Sequence, residues 1–119
     1  MSKYLAIAML AIVAVFTIAE AGWWGTVTKT GGDHMGYIIV TAHGQTGNPW
    51  VGSSAQGVYR LDALHGMVPG EFYDCVWADT TISGTYYGGH HDGGYYQNSP
   101  DVQKDIVVSH PAAYCDMQK

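Results

Sequence analysis

From Gly22 to its C-terminus the chain never sustains, over a helix-sized window, the 3.6-residue apolar period that a helix requires. Short β-branched and aromatic runs alternate instead with clusters of Gly, Pro, Asn, Asp and Ser. That restricts the chain to an all-β fold of many short strands. The runs predict seven strands, at residues 23–28, 37–42, 58–61, 72–78, 81–87, 95–97 and 105–109. Turns are expected around Gly31-Gly32, over 44–54, over 66–70 and over 98–100. With no linker and no repeat beyond one small palindrome, the expectation is a single antiparallel-rich β-sandwich over residues 22–119.

Local phase sharpens this picture. Tyr59 and Leu61 alternate with Val58, Arg60 and Asp62, which puts the tyrosine and leucine on one face and the charges on the other. Pro69-Gly70 then turns the chain back as the Phe72 strand. There Asp74 falls on the phase of Phe72 and Val76, where an apolar residue is expected. Either a bulge re-phases the strand, or Tyr73, Cys75 and Trp77 form the buried face.

The first residues carry a different signal. Lys3 is followed by a charge-free apolar run from Tyr4 to Ala19 and then by Ala19-Glu20-Ala21, an A-x-A cleavage pattern. The run is shorter than the roughly 20 apolar residues of a membrane span, so residues 1–21 read as a secretory signal peptide cut before Gly22. Secreted or cell-surface localisation follows, with no stable membrane anchor after cleavage. In that oxidising setting Cys75 and Cys115, the two cysteines of the chain, are expected to form a disulfide. The formal net charge of −5 argues against nucleic acid or anionic lipid as a partner.

"GTVT" (25–28), "GYIIVTA" (36–42), "SSAQGVYRLDALHGMVPGEFYDCVWAD" (53–79) and "VQKDIVVS" (102–109) together resemble the transthyretin-like, carboxypeptidase-regulatory-domain-like sandwich. Gly57, Tyr59, Leu61, Leu64, Pro69, Gly70 and Phe72 match the short structural motifs of that family. The resemblance implies a non-catalytic module that stabilises, binds glycan or protein, or self-associates.

The residues themselves agree with the lack of catalysis. Gly52 to Gly57 is not a G-x-S-x-G elbow, its serines fitting turn and strand entry, and Glu71 is the single glutamate after the cleavage site. Six histidines keep metal binding open. His90 with Asp92 would share a strand face, whereas His90 and His91 would not, so His90 and Asp92 are the candidate ligands for a divalent metal ion. Asp33-His34 is a second candidate pair, and calcium on Asp92 or Asp101 a weaker one, since no calcium-loop spacing is present.

His90 and Asp92 lie inside "YYGGHHDGGYY" (86–96), a near palindrome. Read as a hairpin centred on His91, it pairs Tyr86 with Tyr96 inward and Tyr87 with Tyr95 outward, above a threonine and serine strip. Tyr87, Tyr95 and the loop residue Trp50 then become candidate binding residues for glycan or protein. Of Trp23 and Trp24, one is expected in the core. The N-terminal segment or the tail after Ser109 is expected to pair with an edge strand of another copy. The sequence thus points to a non-catalytic structural or adhesive subunit that self-associates into a filament, or to a metal- or glycan-binding module.

Overall fold

The computed structural model describes residues 21–97 and 100–116; the signal-peptide assignment, apart from Ala21, lies outside them. The described residues form two four-stranded sheets and no α-helix. Eight strands are present rather than the seven expected: β1 (Gly22–Lys29), β2 (Ile39–Gly44), β3 (Trp50–Gly52), β4 (Val58–Asp62), β5 (Phe72–Ile82), β6 (Thr85–Tyr95), β7 (Val102–Gln103) and β8 (Ile106–Val108). The first sheet is built on β1, which pairs antiparallel with β4 and parallel with both β7 and β8. The second runs β3-β2-β5-β6, all antiparallel. A bridge between Gly88 and Ser109 joins the two sheets along one side.

The core between the sheets follows the predicted phase of β4. Tyr59 and Leu61 are buried with Trp23, Val27, Val40, Val76, Ile106 and Val108. Burying these apolar side chains supplies the main drive for folding. Trp23 is therefore the core indole, and Tyr73 and Tyr96 meet its ring edge-on at 5.8 and 5.9 Å. Asp62 departs from the expectation of an exposed charge. It is buried, and its carboxylate accepts from Leu64 N–H to cap the 3-10 turn Ala63–His65.

The 81–87 and 95–97 strands and the palindromic hairpin are corrected. The two-residue turn is Ser83-Gly84, both at positive φ, and it pairs Ile82 with Thr85. Ser-Gly between β-rich runs is a turn signal, and it was available in the sequence. The palindrome consequently lies along one strand, β6, instead of folding back on itself.

The Asp74 question resolves as a bulge. His43 pairs with Cys75 but Gly44 with Tyr73, so Asp74 is the extra residue of β5. Opposed residues of an antiparallel pair share a face. Tyr73, Val76 and Ala78 therefore point into the core, and Cys75 and Trp77 point out. Cys75 and Trp77 are nevertheless buried, because the tail after Ser109 covers them. The predicted Cys75–Cys115 disulfide is present, with a Cα–Cα distance of 6.4 Å. No helix among the described residues is long and apolar enough to cross a membrane.

A candidate cation pocket on the outer face of the second sheet

Strand register sets out the outer face of the second sheet in rows. One row reads Trp50, Thr41, Trp77, His90; the next reads His43, Cys75, Asp92. Across these rows lies the tail. Ala113 N–H donates to Gly88 O at 3.1 Å, His110 Nδ1 is 2.9 Å from Tyr86 O, and Tyr114 stacks on Trp77 at 5.3 Å. Gly88 is required for this, because a Cβ there would sit 2.6 Å from the Trp77 ring and 3.0 Å from Ala112.

Where tail and sheet meet, Asp74, His90, Asp92, Tyr114, Cys115 and Asp116 line a pocket of about 210 Å³. The His90 ring is oriented there. Its Nδ1 lies 2.7 Å from the Ala113 carbonyl, which can only accept, so Nδ1 carries a proton. Nε2 is 3.5 Å from Asp92 Oδ1. A backbone carbonyl on the far nitrogen is the usual way a metal-ligating imidazole is oriented.

Three carboxylates and one imidazole, donor types that suit a divalent cation, line the pocket, but among the described residues the group whose ligand atoms lie within 4.8 Å of one another is Asp74 with Cys75 and Cys115. Those two sulfurs, joined as a disulfide, are not thiolate ligands. His43 adjoins the same corner. Burial lowers its pKa, and the charge of Asp74 opposes that shift.

His90 and Asp92, the pair singled out in the sequence, both line the pocket, with the Asp92 side chain 96 % exposed. The sequence reading missed Asp74 and Asp116, which line it too. Asp74 carried a signal in its misplaced phase, and Asp116 one in following a cysteine expected to be bridged. The pair Asp33-His34 instead sits in the connection between β1 and β2, where His34 bridges Thr28 and Asp33 O accepts from Lys29 N–H. Asp101 faces Arg60 and the Gly22 N–H, which hold its carboxyl below the usual range.

Tyr87 and Tyr95 do not form the expected strip. Tyr87 is half-buried against the core, with the Lys29 ammonium 5.4 Å from its ring centre. Tyr95 is 66 % exposed and meets Phe72 edge-on at 5.2 Å. The phase break at Asp74 extends to Gly93 opposite, so the two tyrosines leave the strand on different sides. Trp50 is 60 % exposed on the edge strand β3, as a contact residue would be.

The segments expected to pair with a neighbouring copy are both engaged within the chain. β1 is the centre of the first sheet, and the tail is fixed by the disulfide and by the Tyr114–Trp77 stack. Ser53 likewise has a structural task. Buried, its hydroxyl accepts from Ile38 N–H and donates to Met35 O. The chain matches no protein-family model, no curated protein and no solved structure.

Proposed function

We propose that the chain is an exported, non-catalytic β-domain of transthyretin-like architecture that binds a divalent cation in the His90 pocket. The observation that carries this reading is the pocket lined by Asp74, His90, Asp92 and Asp116, with the His90 ring oriented by Ala113 O; their side chains would have to draw together around the ion. The disulfide is compatible with secretion. Titration calorimetry with Mn²⁺ on the full chain tests the reading. His90→Ala and Asp92→Asn should each weaken binding on the order of tenfold or more. A wild-type chain without measurable affinity would sink it.

A second reading keeps the domain as a structural or adhesive subunit that contacts copies of itself, another surface protein or glycan. It draws on the exposed Trp50 and Ile39 of the β3–β2 edge. An unpaired strand edge is a template for strand addition. Because β1 and the tail are engaged, any added strand has to come from elsewhere. Light scattering of wild type and Trp50→Ala separates the two readings: assemblies lost on substitution favour the second, and a monodisperse monomer in both removes it.

A further inference from the structure

The residue that follows the expected cleavage point sits against a carboxylate. Parallel pairing of Trp23 with Val102 sets Gly22 beside Asp101, and Gly22 N–H donates to Asp101 Oδ1 at 2.8 Å. Trp24 O and Thr26 N–H turn to the same side, accepting from Lys104 N–H and donating to Asp105. Backbone groups alternate along a strand, so the Gly22 nitrogen faces away from β4 and no rung of the β1–β4 ladder depends on it. Arg60 grips the same carboxylate from the other side, its two terminal nitrogens 3.2 and 3.3 Å from the oxygens. A Cβ on residue 22 would stand 3.0 Å from both Arg60 Cζ and Leu61 O, so glycine suits the position.

Resting on the exported reading, we infer that Asp101 is the receptor for the α-ammonium created when the chain is cut between Ala21 and Gly22. Hydrolysis adds one water across that bond: the new carboxylate leaves with Ala21, and the Gly22 nitrogen becomes an ammonium. The neutral N–H that Asp101 accepts is replaced by a charged donor at the same place, which makes the hydrogen bond charge-assisted. Capture of a chain end by fixed polar groups is a known mode of recognition. The charged and titratable groups around the new terminus are Asp101, Asp62 opposite it in the ladder, Arg60 between them, and the Tyr96 hydroxyl that served Ala21 O. Two carboxylates against one guanidinium favour the cation.

Burial orders the events. Ala21 is 9 % exposed, its carbonyl accepts from Tyr96, and Gly22 is buried beside it. The closed domain shields the bond, which is therefore cut while Trp23 and Tyr96 are still apart.

The test expresses the full chain for export, reads the first residue of the product by mass spectrometry, and follows its α-amine by NMR on ¹⁵N-glycine-labelled protein from neutral to alkaline pH. The product should begin at Gly22. At low salt its amine should titrate about 0.2–0.7 unit higher than in Asp101→Asn, and at high salt the two should coincide. Arg60→Gln, which removes the nearby positive charge, should move the amine the other way, above wild type. A folded value raised above the unfolded one stabilises fully below the unfolded value and is lost as pH rises through the folded one, so the urea-midpoint gap between wild type and Asp101→Asn should narrow in alkali. Identical amine titration in wild type and Asp101→Asn overturns the capture and leaves the exported reading standing. A product that still carries Ala21 overturns both. Cleavage of the refolded full chain by signal peptidase overturns the order of cutting and folding.

Discussion

Tyr96 is 1 % exposed against Trp23, with its hydroxyl donating to Ala21 O at 2.7 Å. Its mirror mate in the palindrome, Tyr86, lies at the surface with its hydroxyl on Asp79 at the same distance. The glycines between them also meet different neighbours. Gly88 and Gly89 lie under the tail and β8, and a Cβ on Gly89 would stand 1.9 Å from Val107 O. At the other end Gly94, at φ +133°, has nothing within 4 Å of such an atom. Gly93 beside it is again tight, a Cβ there standing 1.9 Å from Tyr73 O, so near-identical residues meet the tail and β8 at one end of β6 and the β5 backbone or open space at the other. What each half does is set by what crosses it.

This contrast can be broken experimentally, and the largest effect is expected at Gly89. Gly89→Ala must displace β8 from the core, so urea unfolding should show a loss of more than about 3 kcal/mol or no folded protein at all. Gly94→Ala, which meets only an unfavourable φ, should cost about 1–2 kcal/mol. Equal losses would mean that packing does not separate the two positions.

The tyrosines give the next largest difference. In a chain that retains Ala21, Tyr96→Phe leaves that carbonyl without its donor in a buried setting and should cost about 1–3 kcal/mol in the same assay. Tyr86→Phe removes a surface hydrogen bond and should stay within about 0.5 kcal/mol. The Tyr86 hydroxyl, with its pKa pushed up to about 12 by desolvation and then by the bond to Asp79, should titrate late in an alkaline absorbance scan. Tyr86→Phe should remove that late step.

A pH scan probes the bulged end of the comparison, where His43 adjoins Asp74. Burial lowers the His43 pKa below its ordinary 6.5, so the unfolded chain binds the proton more readily. The contribution to stability is full above pH 6.5 and is lost as pH falls through the lower folded value. Urea midpoints should therefore drop on acidification from neutral pH, and less so in His43→Gln.

The smallest effect is expected at Asp101, which pairs with Arg60 and accepts from Gly22 N–H at the surface. Asp101→Asn should lower the urea midpoint slightly at low salt and not measurably at high salt.

The same strand shows how far the sequence could be read. Alternation at Tyr59 and Leu61, the core tryptophan and the disulfide partners were legible because each depends on local phase or on a count of two. The palindrome was misread because symmetry in sequence suggested symmetry in space, while the turn lay earlier, at Ser83-Gly84. β3 and β7 are three and two residues long, too short to carry a period, and they exist only through their partners β2 and β1. Half of the candidate pocket was hidden for a related reason. Asp116 reaches His90 through a tail whose course depends on Trp77, Gly88 and Cys75 at once.

The place of β1 has a consequence for the order of events in biosynthesis. Among the described strands it comes first along the chain, yet its parallel neighbours β7 and β8 come last. Until residue 108 has emerged, Trp23 and Val27 lack one wall of their enclosure, and such long-range closure is slow. A nascent chain would therefore keep its core open until that point, and the earlier strands would wait on residues about 80 positions later.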